Sequence, residues 1–221
     1  MSETEEMSRD ETVKAVLDSV LSLVPFEGWS ERALIEAAEE NDLSRQQVLA
    51  LFPRGIQDVV RVLNQRFDDE MLAACPAEEL EDMKVRERIA TLVRTRLMVM
   101  EPHRDALKQG LSYFALPGNV TEGFHTLYDT LDRIWVAAGD RSNDYNFYSK
   151  RMLLAGVYSS TLLYWLEDGS EGYEKSWAFL DRRIANVLRV GGSLGKGVKC
   201  LNEFSKGLKV FSPFQFVMPR R

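Results

Sequence analysis

The sequence predicts an all-α protein, on three observations. Apolar residues recur at three- and four-residue steps along most of the chain. The interruptions are Pro, Gly or Asn-Asp breaks. No stretch sustains the two-residue alternation of a half-buried strand.

Val13, Val16, Leu17, Val20, Leu21 and Val24 trace one helical face, and Pro25 with Gly28 is expected to end that helix. Ser30 is placed to cap a second helix through Leu34, Ile35 and Ala38, closed by Asn41-Asp42. Ser44 caps a short third helix containing Val48, Leu51 and Phe52, stopped by Pro53-Arg54-Gly55. A longer helix is expected over about 56–74, ahead of Pro76. Later helices fall near 84–100, 103–115, 121–138, 144–167 and 172–190, separated by Glu101-Pro102, Leu116-Pro117-Gly118, Gly139-Asp140 and Asp168-Gly169. The 144–167 helix is apolar nearly all round after Arg151, which predicts burial on most sides by its own domain together with a partner or a ligand. Four segments result: an acidic flexible N-terminus over 1–10, a first helical part over 11–75, a larger helical part over 76–190, and a tail over 191–221 that opens on a Gly191-Gly192 hinge.

The chain has 221 residues, 45% hydrophobic and 28% charged, enough to bury a core without disulfides or metal. Cys75 and Cys200 are too isolated for a disulfide framework or a zinc site and suit a reducing compartment. The longest uncharged run, Met152 to Leu166, is 15 residues, short of a bilayer span. The acidic start (Glu3, Glu5, Glu6, Asp10) is the reverse of a transit peptide, and no secretory signal is evident.

Charge is unevenly spread. Residues 191–221 hold six bases (Lys196, Lys199, Lys206, Lys209, Arg220, Arg221) against Glu203, a net of +5, so the overall −6 leaves −11 for residues 1–190. In the tail, Leu194, Val198, Leu201, Phe204, Leu208 and Phe211 form one narrow apolar stripe at helical spacing, with Lys196, Lys199, Lys206 and Lys209 off it. A basic amphipathic helix of this kind lies in a membrane interface. Each lysine near an anionic surface contributes on the order of 1 kcal/mol. Packing of the stripe on the protein's own core is the alternative; the glycine hinge and the +5 charge favour the membrane.

Two motifs mislead. Gly191-Gly192-Ser193-Leu194-Gly195 satisfies Gly-x-Ser-x-Gly, but a nucleophile elbow needs a strand leading in, and here a helix precedes it. Glu122-x-x-His125 is half of a four-helix di-iron site; its second half is missing, because His103 has Met100 three residues before it. Surface or helix-start positions are therefore expected for Glu122 and His125. No catalytic residue, metal site or cofactor is expected.

The order helix, helix, turn, short helix, Phe-Pro, long helix resembles the plan of the TetR-type helix-turn-helix domain. The fold expected is thus a TetR-repressor-like helical bundle with a C-terminal amphipathic helix. In that family the short third helix would enter the major groove, where phosphate neutralisation supplies affinity. From Phe26 to Arg54, however, there are six acids against the three bases Arg32, Arg45 and Arg54. The usual turn glycine is replaced by Asn41-Asp42, and no lysine follows Phe52-Pro53. The repressor architecture is expected without its DNA chemistry, so nucleic acid is not expected as a partner; a TetR-type repressor sensing a hydrophobic ligand is the alternative reading.

The run Ala138-Gly-Asp-Arg-Ser-Asn-Asp-Tyr-Asn-Phe-Tyr-Ser-Lys-Arg-Met-Leu-Leu-Ala-Gly-Val-Tyr resembles the ubiquinone (coenzyme Q) biosynthesis protein nine family, as do Glu167-Asp168-Gly-Ser, Trp177-Ala-Phe-Leu-Asp-Arg-Arg-Ile and Gly28-Trp29. The likeness extends over about residues 13–190. It implies a non-enzymatic TetR-like protein that has lost DNA binding and holds isoprenoid lipid, ubiquinone or a precursor; a homodimer is expected. It also implies docking on the di-iron demethoxyubiquinone hydroxylase, to which the quinone intermediate is presented. The implied location is cytoplasmic and peripheral on the inner membrane in bacteria, and the matrix side of the mitochondrial inner membrane for eukaryotic relatives. Carried over by position, the partner-binding patch falls on Asp132, Ile134, Asp144, Phe147 and Tyr148; Ile134 and Phe147 stand where the family has Met and Trp. Large rings just after a helix start, such as Phe147 and Tyr148, suit an exposed hot spot or the core equally. For the lipid site, Met98, Met100, Leu154, Tyr158, Trp165 and Phe179 lie on the later helices and suit an irregular apolar cavity, though each also suits plain core.

Overall fold

The computed structural model describes residues 8–140 and 145–192, without the side chains of 145–149, 188 and 190–192. Among these residues there are α-helices and two short 3-10 turns but no strand. Helix α1 (Arg9–Glu27) starts at a capping box: the Glu11 amide donates to Ser8 Oγ at 3.3 Å, and the Ser8 amide donates to Glu11 Oε2 at 2.8 Å. Pro25 does not stop it. It sits in the last turn, where its missing N–H costs only the one bond to the Leu21 carbonyl and the helix continues for two more residues. Gly28, at φ 67°, closes the helix by donating to Val24 O at 2.9 Å.

Helix α2 (Glu31–Glu40) is capped as expected, with Ser30 Oγ accepting from the Ala33 amide at 3.2 Å. Its far end explains the missing turn glycine. Asp42 takes the left-handed conformation at φ 56°, and the Asp42 and Leu43 amides donate back to Glu39 O and Ala38 O. That is a Schellman closure with aspartate in the glycine position. Ser44 and Gln47 form a second capping box at α3 (Arg45–Leu51). Helix α4 (Ile56–Ala73) follows Gly55, where a Cβ would fall 2.1 Å from Glu31 Oε1. That close approach lets Glu31 accept from the Ile56 amide at 2.8 Å and so tie α2 to α4.

A short helix that the periodicity did not reveal, α5 (Ala77–Glu81), starts behind Pro76. The remainder match expectation within two residues: α6 (Val85–Val99), α7 (Arg104–Ala115), α8 (Val120–Ala137), α9 (Tyr145–Glu167) and α10 (Glu174–Gly192). The last of these runs through Gly191 and Gly192, where a hinge was expected, to the end of the described residues.

Helix α1 packs on α2 and α7, α4 on α6 and α8, and α9 between α8 and α10. One continuous core results, in which Leu17, Leu34, Leu63, Leu92, Leu97, Ile134, Trp165 and Leu180 are almost wholly buried. Each such aliphatic side chain contributes roughly 1.5–3 kcal/mol relative to exposure. Arg104 closes the C-terminal end of α9: its Nη2 lies 2.7, 2.8 and 3.0 Å from the carbonyl oxygens of Trp165, Leu166 and Asp168. A cation there satisfies carbonyls with no helical partner and complements the helix dipole. Helix α9 is less enclosed than its composition implies, since Met152 and Leu163 remain more than half exposed. No helix among the described residues is long and apolar enough to cross a membrane.

Candidate ligand cavity

Helices α4, α6, α7, α8 and α9 enclose a cavity of about 290 Å³. Apolar side chains make most of its wall, with Trp29, Val60, Leu63, Phe67, Leu107, Phe114, Leu127, Leu162 and Leu166 among them. Leu111 and Leu163, 42% and 51% exposed, lie in the same wall and mark where it reaches the surface between α7 and α9. Trp29 is fixed by its indole N–H, which donates to Ala106 O at 3.0 Å, and Gly110 leaves room for the ring.

A polar cluster interrupts this lining. Asp68 and Arg96 are buried, 0% and 2% exposed, and paired through Arg96 Nε and Asp68 Oδ1 at 2.6 Å. Thr130 Oγ1 donates to Asp68, and Asn64 Nδ2 donates to Thr126 O and Thr130 Oγ1. Arg96 also donates to Asn64 Oδ1, Thr130 Oγ1, Met100 Sδ and the Tyr158 hydroxyl. Burial opposes the charged guanidinium, but Tyr158 and Asp68 outweigh it and hold the Arg96 pKa above its ordinary value. Burial, reinforced by Asp68 and opposed by Arg96, raises the Tyr158 pKa, so this hydroxyl stays protonated.

Of the six residues expected to meet lipid, Met100 and Tyr158 line the cavity and the others do not. Leu154 and Trp165 are core, 3% and 0% exposed. Met98 points outward at 46% exposure, because its helical position falls on the solvent side of α6. Phe179 lies on α10 and stacks on Tyr164 with ring centres 4.6 Å apart. Trp29, Asn64, Arg96, Phe114 and Thr130 were missed. A signal for Arg96 exists: it continues the stripe Ile89, Leu92, Val93, and a charge on an apolar stripe is a charge turned inward.

In the expected partner patch, Ile134 is 0% exposed and cannot contact a partner; as the inward residue of α8 it packs in the core. Asp132 is partly exposed and paired with buried Arg151. Asp144 lies outside the described residues; Phe147 and Tyr148 are on α9, with undescribed side chains. The stripe expected to bind membrane, Leu194, Val198, Leu201, Phe204, Leu208 and Phe211 with Lys196, Lys199, Lys206 and Lys209, lies wholly outside them. Glu122 is in the first turn of α8, a helix start as expected, with its side chain 13% exposed and 3.5 Å from Arg54, and His125 is exposed. Among the described residues no group of three or more His, Cys, Asp or Glu is placed to hold a metal ion.

In the helix-turn-helix-like part, Arg54 is paired with Asp58 and Glu122, and Arg32 with Glu27 at 3.2 Å. Two of the three bases that would meet phosphate are thus engaged within the chain.

Three capped helices ahead of a helical bundle with a central cavity define a TetR-like fold. The TetR transcriptional regulator of Nitrosomonas europaea superposes with a TM-score of 0.64 over 80% of this chain and 97% of its own, at 18% identity, a likeness of fold alone. The COQ9 family model matches residues 120–191. The mitochondrial ubiquinone biosynthesis protein COQ9 of Rattus norvegicus is 29% identical over 208 residues, covering 91% of this chain and 66% of the relative. That of Homo sapiens is 28% identical over 202 residues, covering 89% and 63%. Over residues 120–191 and along most of its length the chain is similar to the COQ9 family, and it spans slightly less than two thirds of the length of these relatives.

Proposed function

We propose that this chain is a non-catalytic accessory protein of ubiquinone biosynthesis that holds an isoprenoid quinone intermediate and presents it to the di-iron demethoxyubiquinone hydroxylase. The observation that carries this reading is the apolar cavity, opening between α7 and α9, in a chain that matches the COQ9 family model over residues 120–191. At about 290 Å³ it sits at the lower end of the roughly 300–1,000 Å³ usual for small-molecule sites. It suits a ring head group with its first isoprene units, the rest of the chain leaving past Leu111 and Leu163. The basic amphipathic tail after residue 193 holds the protein at an anionic membrane surface, and the relatives are mitochondrial proteins. The protein acts as a homodimer, and Asp132, Asp144, Phe147 and Tyr148 meet the hydroxylase.

Lipid extraction from the purified protein followed by mass spectrometry tests this reading. The expected result is an isoprenoid quinone or its precursor. Recovery of no isoprenoid lipid, together with no uptake of added quinone, overturns it. A DNA-binding repressor is disfavoured by the engaged Arg32 and Arg54.

A further inference from the structure

We infer that the cavity selects a neutral lipid whose head carries hydrogen-bond-accepting oxygens, carbonyl or ether, bound by the hydroxyls of Tyr158 and Tyr113, and that it rejects anionic lipids. This rests on the lipid-carrying reading above and adds the chemistry of the head group to it.

A guanidinium has five N–H groups, and all five of Arg96 are engaged: Nε with Asp68, Nη1 with Tyr158 and Met100, Nη2 with Asn64 and Thr130. Thr130 gives its one proton to Asp68, and both Asn64 amide protons go to Thr126 O and Thr130 Oγ1. The positive charge is matched by Asp68, so a carboxylate or phosphate entering the cavity meets no uncompensated cation among the described lining residues.

Tyr158 differs from the rest of the cluster. Its oxygen accepts from Arg96, which leaves its own proton to be donated, and its ring lines the cavity. An adjacent guanidinium strengthens that donor. On α7, Tyr113 lines the same cavity at 8% exposure, and its hydroxyl is buried with no hydrogen-bond partner. Burial, with Glu122 and Glu31, raises its pKa, so it too is a protonated donor. Two hydroxyl donors in an otherwise apolar wall suit a ring bearing neutral acceptor oxygens and leave a pure hydrocarbon with nothing to pair.

The test uses the full chain incubated with phosphatidylcholine vesicles carrying equal amounts of a short-chain ubiquinone, squalene and oleic acid, with protein-bound lipid quantified after gel filtration. Ubiquinone is expected to exceed the other two by about tenfold. Tyr158→Phe and Tyr113→Phe are each expected to lower ubiquinone uptake roughly five- to tenfold while squalene uptake stays unchanged. Tyr113→Phe removes a hydroxyl without a protein partner, so it keeps the test decisive if Tyr158→Phe disturbs Arg96 and the fold. Equal uptake of ubiquinone and squalene, oleic acid exceeding ubiquinone, or full ubiquinone uptake by both variants overturns the inference while leaving a lipid carrier intact. Uptake of none of the three overturns the carrier reading itself.

Discussion

Asp68 and Arg96 form an ion pair that stands or falls as a unit, because each is almost wholly buried. Asp68→Ala leaves the guanidinium charge uncompensated and is expected to cost about 3–5 kcal/mol, read as a fall in the urea unfolding midpoint. Replacing both partners, Asp68→Leu with Arg96→Met, should recover most of that loss; a double variant as unstable as the single one would show that the pair is not the source. The cluster was only half visible in the sequence. Met100 and Tyr158 were found because apolar and aromatic character carries over directly to cavity lining. Asn64 and Asp68 were not, since next to Arg66, Asp69 and Glu70 they look like a solvated face. Their spacing from Val60 and Met71 puts them on the inner stripe of α4, which becomes evident once α6 and α8 are seen packed on it.

Between α9 and α10 the chain turns on one carboxylate. Asp168 Oδ1 accepts from the Ser170 amide and hydroxyl at 2.9 and 2.7 Å, and Oδ2 from those of Ser176 at 2.9 and 2.6 Å. Burial alone would raise its pKa, but these four bonds outweigh it and hold the group far below the usual aspartate range. A depressed carboxylate stabilises the fold fully above the unfolded value, near 4, and loses that contribution as pH falls through the folded value. The thermal midpoint is therefore expected to fall steadily below about pH 5, and Asp168→Asn should flatten that slope relative to the parent; an unchanged slope would assign the acid sensitivity to other groups. At this scale the sequence was informative: Ser30 and Ser44 marked true caps because the signal is local. Asn41-Asp42 and Gly28 likewise marked true helix ends, whereas the left-handed conformation of Asp42 and the short α5 were not legible, since residue identity alone does not dictate them.

For the molecule as a whole, charge is divided between an acidic body, −11 over residues 1–190, and a basic tail, +5 over 191–221, which on the function proposed above would separate carriage from attachment. Removing residues 193–221 is expected to abolish flotation with anionic liposomes while leaving the far-ultraviolet helical signal in place; a truncated chain that still floats would move the anchor into the body. The first three helices, meanwhile, are bolted to the cavity walls at three points: the Trp29 indole on Ala106, Glu31 on the α4 amide, and Arg54 against Glu122 of α8. A ligand-driven pivot of that headpiece would have to break an indole bond and an ion strut together. On the function proposed above, cargo entering the cavity would meet a stiff pedestal, its arrival signalled through the later helices and not by a swing of the N-terminal ones.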